Sequence, residues 1–234
     1  MIRSRLALLL AILLLGATVP AAGQKSARAE PDDGRSLWSG ALVISSLGIG
    51  AEVSGRSNPV IGLRGGYFLF GFSRHREIQG ISYDVTPKLR NGTVMLDVFP
   101  GGGLFRVSGG VIFSSSRVDA KGVLAGPVTI GSETYQPAEV GDLNGKADYP
   151  HGIIPYAGVG LSSQARFTVT VDLGIGFSGY PRVELTANSP LTGTELQQLE
   201  ASLAQEQAQI QQGIESHSWA KFYPVVSLGF KFRF

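Results

Sequence analysis

Six charged residues stand within apolar segments of this 234-residue chain, beside hydrophobic neighbours that alternate with small or polar ones. Three of them carry carboxylates and three carry basic groups, so they would neutralise one another if folding brought them together. An isolated buried charge is too costly to keep, so any unpaired member must face water. The six residues are Glu52, Arg64, Asp97, Arg106, Asp172 and Lys231.

Two chemical roles are open to such a set of charges. If they pair with one another, they form a salt-bridge plug inside the protein. If they are spaced along a water-filled path, they guide ions or polar solutes through it. We predict the plug and keep the polar path as the alternative.

Covalent catalysis has one weak candidate in this sequence, the cluster of Glu215, His217 and Ser218. A nucleophile, a base and an orienting carboxylate must form a line of hydrogen bonds. Three residues within four positions of one loop do not build that line by their spacing. We therefore predict no catalytic residues and no enzymatic activity.

Sites for metals, cofactors and nucleic acid are not indicated either. His75 and His151 are isolated, and no His, Asp and Glu residues recur at the spacing of metal ligands. The glycines at 101–103 follow a proline, and we interpret them as a turn rather than a phosphate-binding loop. The chain holds 20 basic and 18 acidic residues, which gives no reason to expect nucleic-acid binding. No cofactor and no metal are predicted.

The elements that must position the charges are segments with a period of two. In residues 167–178, apolar side chains alternate with Thr, Asp, Gly and Ser, which predicts a strand with one apolar and one polar face. Eight such segments occur, and an even number is what bacterial barrels require. They cover residues 37–45, 47–56, 60–73, 81–99, 104–115, 153–163, 167–178 and 222–234.

The sequence thus predicts an all-β fold, a closed antiparallel up-and-down transmembrane β-barrel of about eight strands with one helical loop insertion. After residue 23 no segment has 18 consecutive apolar residues, so only a closed barrel could cross a membrane. Aromatic residues near both predicted strand ends fit the two belts of a membrane barrel. They are Tyr180, Trp219, Phe222 and Tyr223 at one end and Phe99, Phe105, Phe167, Phe232 and Phe234 at the other.

The first 23 residues have the parts of a secretory signal. Arg3 and Arg5 precede an apolar run at 6–15, and Ala21 and Gly23 offer small residues for cleavage. Removal of this signal would leave equal numbers of basic and acidic residues. We predict a signal peptide at 1–23, a flexible segment at 24–36 and the barrel at 37–234.

Two long connections carry patterns of their own. Residues 117–149 include two short β-prone triplets around Gly131 and Ser132, which predicts a small hairpin. In residues 194–216, apolar residues recur at helical spacing, and Thr192 with Glu195 matches a capping box. We predict a helical insertion at 192–217. Its apolar stripe either packs on the barrel mouth or binds another protein or a second copy of the chain.

The last strand resembles the carboxy-terminal assembly signal of Gram-negative outer-membrane barrels. That signal consists of alternating hydrophobic residues and a terminal aromatic, here Val226, Leu228, Phe230, Phe232 and Phe234. Together with the segments at 47–56 and 60–73 and the signal peptide, it makes the chain similar to the small OmpA-, OmpX- and OmpW-like barrels. The resemblance implies an outer-membrane location, a periplasmic carboxy terminus and recognition by the barrel-assembly machinery. It also implies contact with outer-membrane lipid and lipopolysaccharide.

This resemblance covers the mature chain but does not specify an activity, because the family includes pores, adhesins, structural anchors and enzymes. Counted back from a periplasmic terminus, three short connections lie in the periplasm and the longer ones outside the cell. The first connection, near residues 45–47, departs from this pattern because it is tight and falls outside. We expect a structural or surface-interaction role that depends on the 117–149 loop and the helix. The alternative is a narrow porin-like channel for small or amphipathic solutes. A lipid-modifying enzyme is the third hypothesis.

Overall fold

The computed structural model describes residues 38–78 and 81–234, so the predicted signal peptide at 1–23 and flexible segment at 24–36 lie outside it. The described helices are α1 (Pro137–Val140) and α2 (Gly193–Glu215). Neither is long and apolar enough to cross a membrane. The described strands are β1 (Trp38–Ser45), β2 (Gly48–Arg56), β3 (Ile61–Gly71), β4 (Arg74–Ile78), β5 (Ile81–Val98), β6 (Phe105–Ser114), β7 (Arg117–Leu124), β8 (Val128–Ile130), β9 (Glu133–Tyr135), β10 (Asp142–Asp148), β11 (Ile153–Leu161), β12 (Phe167–Phe177), β13 (Arg182–Asn188) and β14 (Phe222–Arg233).

Eight of these strands close into an antiparallel barrel. Around the barrel the order is β1, β2, β3, β5, β6, β11, β12 and β14, and each strand pairs with the next. The pairing of β1 with β14 closes the barrel, with Ala41 opposite Lys231. The prediction of a closed eight-stranded antiparallel barrel is confirmed, including the weakly patterned first strand.

The outer surface of the barrel is a continuous apolar layer. Leu42 is 72% exposed and Phe230 is 69% exposed, and their outward neighbours along the strands are equally hydrophobic. Soluble proteins seldom expose apolar surface of this extent, whereas the lipid-facing side of a membrane barrel must do so. The alternation along each strand sends the polar side chains inward, where they form the candidate site.

Aromatic pairs mark both ends of the apolar layer. Phe167 and Phe232 lie with ring centroids 4.9 Å apart near one end, and Phe177 and Phe222 lie 5.6 Å apart near the other. The assignment of Phe99 to such a belt is wrong, because this residue faces the interior and is buried. Phe99 directly follows the last residue of β5 and stands two residues after Asp97, so the alternation that turns Asp97 inward extends to Phe99.

The two ends of the barrel differ in their connections. At one end, called the turn end, short turns join β2 to β3, β5 to β6 and β11 to β12. Asn58 closes the first of these turns, because its Oδ1 accepts the backbone N–H groups of Val60 and Ile61 at 2.8 Å. In the second turn Gly101 has a φ of 68°, a conformation that favours glycine. The opposite end, called the loop end, carries the three long connections and the tight turn between β1 and β2.

The sheet of the barrel continues beyond the loop end, and we call this continuation the loop-end sheet. The first half of β5 continues beyond the barrel and pairs there with β4 and β7, and β10 and β13 extend the sheet from β7. The predicted hairpin around Gly131 is present as the pair β8 and β9. The strands β7 and β10, however, lie in residues for which the sequence predicts only a long connection with one small hairpin. One face of these strands carries ion pairs such as Lys121 with Asp142 at 2.7 Å, so the hydrophobic alternation is weak.

The helix α2 packs on this sheet and completes a small domain with its own core. Leu199 and Leu203 are buried there against Tyr135 and Val140. The bounds agree closely with the predicted helical insertion, but the predicted capping box is not formed, because the Thr192 side chain makes no cap hydrogen bond. We call the described parts of residues 74–88, 117–148 and 182–215 the loop-end domain.

Candidate functional site in the barrel interior

Arg64 is the centre of a buried ionic network in the barrel interior. Its Nη1 lies 3.0 Å from Oε1 of Glu52, and its Nε lies 3.1 Å from Oδ2 of Asp97. The same Nη1 is 3.6 Å from Asp172. All four residues are buried, so each charge depends on its partners for the stabilisation that water would otherwise supply.

Arg106 joins the same network from the other side. Its Nη2 lies 2.7 Å from both carboxylate oxygens of Asp172, and its Nη1 is 3.6 Å from Asp97. Ser108 donates to Asp97 at 2.6 Å and Ser227 to Asp172 at 3.3 Å. Five of the six charges singled out in the sequence therefore form one ionic cluster, in which two hydrogen-bonded groups are joined by the 3.6 Å ion pairs. The cluster links β2, β3, β5, β6 and β12.

Small residues on the inner faces of the strands make room for this cluster. A Cβ at Gly160 would overlap Asp172, and one at Gly66 would lie 2.9 Å from Cγ of Glu52. An eight-stranded barrel is only just wide enough for its side chains, so large groups at one level require glycines beside them. Glycine alternating with charge was thus a signal in the sequence for a filled interior.

Lys231, the sixth charge, was expected to pair with the interior carboxylates, but it lies outside the network. Its Nζ lies 2.6 Å from Oγ of Ser162 and 2.7 Å from the backbone oxygen of Ser163. Both partners lie in the turn that follows β11. Lys231 stands four residues closer to the turn end than Ser227, which reaches Asp172, so its side chain meets the turn instead of the carboxylates.

An apolar layer fills the interior between the ionic network and the loop end. Phe68 is 1% exposed and Ile112 is fully buried, and they pack with Met95, Ile154 and Tyr156. The alternation of apolar and polar residues predicts a polar interior and does not predict this layer. Phe68 offered a signal, because it alternates in phase with Arg64 and Gly66 rather than with the outward residues of β3.

Little free volume remains between the apolar layer and the ionic network. A cavity of about 20 Å³ lies there, bordered by Glu52, Thr93, Tyr156 and Ser227. That volume is close to the minimum needed by a single water molecule. A file of hydrated ions needs a much wider passage than this cavity provides.

The cluster considered for covalent catalysis does not assemble into a catalytic line. Nδ1 of His217 lies 2.9 Å from the backbone oxygen of Gly213 and 3.0 Å from Oγ of Ser216. Glu215 accepts a hydrogen bond from Gln211 instead of orienting the imidazole. Among the residues that the structure describes, no group of His, Asp and Glu side chains has the geometry to hold a metal ion.

Four residues of the predicted assembly signal lie on one face of β14, and the fifth, Phe234, directly follows the strand. Phe230 and Val226 point outward and are 69% and 45% exposed. The strand itself pairs with β1 on one side and β12 on the other. The outward set consists of Val226, Leu228, Phe230, Phe232 and Phe234.

Comparison with known proteins supports the fold and leaves the activity open. No protein-family model matches the chain, and no curated protein matches it. The chain is similar to the crystal structure of Acinetobacter baumannii CarO2, with a TM-score of 0.58 and 20% identity over 86% of this chain and 100% of that one. For A. baumannii CarO the TM-score is 0.57, with 21% identity over 84% of this chain and 97% of that one. Both are eight-stranded outer-membrane barrels. The chain described here therefore has the fold of the small outer-membrane β-barrels.

Proposed function

We propose that this protein is an integral outer-membrane barrel whose interior is closed by side chains and which acts through its loop-end domain. The role that we assign is structural or surface-interacting, without transport. The observation that carries this proposal is the packed interior, with the ionic network of Arg64 and Arg106 beside the apolar layer of Phe68 and Ile112. Without a passage for solutes, the barrel acts as a membrane anchor that holds the loop-end domain at the cell surface.

The membrane location rests on the outer surface as well as on the fold. Exposed side chains such as Leu42 and Phe230 need lipid around them, and aromatic pairs at both ends suit the two headgroup regions. Outer-membrane lipid and lipopolysaccharide are the partners of this surface. The barrel-assembly machinery is the partner proposed for the outward residues of β14.

The orientation that we propose puts the turn end and the carboxy terminus in the periplasm. Bacterial outer-membrane barrels have short periplasmic turns and longer outer loops, and the two ends of this barrel differ in the same way. The loop-end domain then stands outside the cell. A secretory signal at 1–23 would direct the chain across the inner membrane.

The loop-end domain has the properties of a rigid binding surface. Its core around Leu199 and Tyr135 and its cross-strand ion pairs hold it in one shape. The apolar stripe of α2 is used inside this domain, where Leu199 is fully buried. A protein partner or a second copy of the chain that binds α2 would therefore meet its outer face of Gln, Ala and Glu side chains.

Planar-bilayer recording tests the closed interior. We expect the refolded wild-type barrel to insert without steady ion conductance, whereas a general porin prepared in the same way conducts. Arg64→Gln and Asp172→Asn probe whether the network lines a path, and we expect no change in conductance from either. A steady wild-type conductance that these variants alter would contradict the proposal and favour the narrow channel.

A further inference from the structure

The strand β5 runs from the barrel wall into the loop-end sheet without interruption. On the barrel, Val94 and Leu96 point outward and are 46% and 51% exposed. Alternation along the same strand puts Arg90 and Lys88 on this outward face, and both are exposed. One face of the loop-end sheet, which we call its outer face, therefore continues the apolar layer beyond the barrel.

Charged residues form a row across the outer face at the level of Lys88. Lys88 is opposite Arg117 of β7, and Arg117 is opposite Asp148 of β10. Asp148 is in turn opposite Arg182 of β13. Residues opposite each other share one face of a sheet, and Arg117, Asp148 and Arg182 are the residues of their strands nearest the barrel. We call Arg90, Lys88, Arg117 and Arg182 the junction cluster.

Two members of the junction cluster share a single carboxylate. Nζ of Lys88 lies 2.9 Å and Nε of Arg117 lies 3.3 Å from the same oxygen, Oδ2 of Asp119. The side chains of Lys88 and Arg117 are 51% and 50% exposed, so an anion from outside the protein can reach both. One negative charge does not neutralise two positive ones, and this part of the cluster keeps a net positive charge.

The other two members have no ion pair of their own. Among the residues that the structure describes, no carboxylate forms an ion pair with Arg90 or Arg182. Asp148, the acidic residue opposite Arg182, is paired with Lys146 at 3.0 Å. A guanidinium is a planar fork of N–H donors, so both arginines have donors to offer an anion.

Farther from the barrel, the basic side chains of the outer face have acidic partners. Lys121 lies 2.7 Å from Asp142, and Lys146 lies 3.4 Å from Glu184. The unmatched positive charge is therefore concentrated beside the apolar layer.

The last outward residues of the barrel mark this level as the edge of the membrane. Phe113 and Ile153 lie opposite each other and are 46% and 58% exposed, and Phe113 precedes Arg117 by four residues. Phe177 is 51% exposed and precedes Arg182 by five residues. Exposed aromatic residues at strand ends lie at the headgroup level of a membrane barrel. The long side chains of the junction cluster reach the headgroups from just beyond that level.

We propose that the junction cluster binds the phosphate groups of lipopolysaccharide. The inference rests on the orientation given in the proposed function, in which the loop end meets the outer leaflet. The lipid of that leaflet has acyl chains, which the apolar layer contacts, and phosphates on its sugar headgroup. Guanidinium and ammonium groups bind phosphate through charge-assisted hydrogen bonds, so the two parts of the lipid match the two adjoining parts of this surface.

Titration with diphosphoryl lipid A, followed by native mass spectrometry, tests the site in the mature protein refolded in non-ionic detergent. Arg90→Gln and Arg182→Gln are the site variants, because each removes a cation without breaking an ion pair of the fold. One basic residue beside an anionic membrane surface contributes about fivefold to the affinity, so we expect each variant to bind about fivefold more weakly. The double variant should lose about tenfold or more.

Lys121→Gln is the matched control, since it removes a basic residue from the same face. Lys121 lies four residues beyond Arg117, about 13 Å farther along β7, a distance that exceeds the screening length of about 8 Å at physiological salt. This control should leave the affinity within about twofold of the wild type. Asp119→Asn should act in the opposite direction and strengthen the binding, because it releases Lys88 and Arg117 from their carboxylate.

Each variant is first checked for its barrel by the heat-dependent shift of the folded band in gel electrophoresis. Monophosphoryl lipid A, which keeps the acyl chains and lacks one phosphate, should bind the wild type more weakly. Absence of saturable binding to diphosphoryl lipid A, or equal affinities of the wild type, the site variants and the control, would overturn the proposal. The same holds if the site variants weaken the binding of phosphatidylglycerol as much as that of lipid A, because the cluster would then recognise any anionic lipid.

These outcomes are distinct from a failure of the proposed function. Ion conductance and cysteine labelling measure the closed interior and the orientation without lipid A. If labelling placed the loop end in the periplasm, the orientation would be wrong, and the junction cluster would not meet lipopolysaccharide whatever its affinity in detergent.

Discussion

Arg106 and Asp172 form an ion pair across a strand that lies between them, since β11 separates β6 from β12. Nη2 of Arg106 is 2.7 Å from both oxygens of Asp172, and the inner face of β11 carries glycine at position 160 beneath the contact. The pair therefore connects parts of the wall that share no backbone hydrogen bonds. The contact therefore cross-links β6 to β12 in addition to filling the space inside the barrel.

Loss of the Asp172 charge should destabilise the barrel strongly. Asp172→Asn leaves Arg106 buried with only part of its counter-charge, and we expect the free energy of unfolding to fall by about 3–5 kcal/mol. Urea unfolding in detergent micelles, followed by tryptophan fluorescence, measures the change. Asp142→Asn breaks the exposed pair with Lys121 and should cost less than about 1 kcal/mol. Equal losses in both variants would show that the buried network stabilises the barrel no more than an exposed ion pair does.

The apolar layer should contribute to stability independently of the charges. Phe68→Ala removes a ring that is 1% exposed, and we expect a loss of about 3–5 kcal/mol from the cavity that remains. Leu42→Ala, on the outer surface, should cost less because it leaves no internal cavity. Conductance of the Phe68→Ala variant should stay absent, since the ionic network still closes the interior. An open channel in this variant would show that Phe68 is the sole barrier.

The helix α2 should be needed for the loop-end domain and not for the barrel. Leu199→Ala removes a fully buried side chain from the domain core, and we expect a local loss of about 2–5 kcal/mol. Limited proteolysis should then cut within 117–148 or 182–215, while the folded band of the barrel keeps its heat-dependent shift. Gln209→Ala on the exposed face of α2 is the control and should leave the cutting pattern unchanged.

Single cysteines can establish the orientation, because the chain contains no cysteine of its own. We expect a membrane-impermeant maleimide to label Ala204→Cys, in the loop-end domain, on intact cells. Ser57→Cys, at the turn end, should be labelled only after the outer membrane is permeabilised. The reverse pattern would place the turn end outside the cell and contradict the proposed orientation.

The loop-end sheet should loosen in acid. The hydrogen bond from Lys88, with a further bond from Arg117, holds the pKa of Asp119 below its ordinary value. A lowered pKa in the folded state means that this contribution to stability is complete above the unfolded pKa of about 4 and is lost as the pH falls through the folded value. The pair is exposed, so the effect should be below about 1 kcal/mol and weaker in high salt.

Hydrogen exchange of β7 between pH 5 and pH 3 measures this loosening. Intrinsic exchange at each pH is taken from the unfolded chain. The variant Asp119→Asn should show low protection of β7 at both values, because it lacks the titrating carboxylate. The protection of β7 in the wild type is corrected for the intrinsic exchange rates. If the corrected protection does not change with pH, Asp119 is not the group that stabilises the sheet.

The strands and the helix were predictable because their signals are local. Neighbouring residues of a strand point to opposite faces, so residues 167–178 and 222–234 predict strands without knowledge of their partners. The stripe that includes Leu199 and Leu203 likewise predicts a helix from spacing alone. The same alternation turned Glu52, Arg64, Asp97, Arg106 and Asp172 inward, and closure of the barrel then brought them together.

The partners within the interior were decided only by the tertiary structure. Which charges meet depends on the stagger between strands, a property of the closed barrel as a whole. That stagger brings Arg106 to Asp172 across β11 and leaves Lys231 beside Ser162, outside the network. The strands of the loop-end sheet were hidden for a related reason. Their charged face is stabilised by ion pairs between strands, which no alternation within a single strand can show.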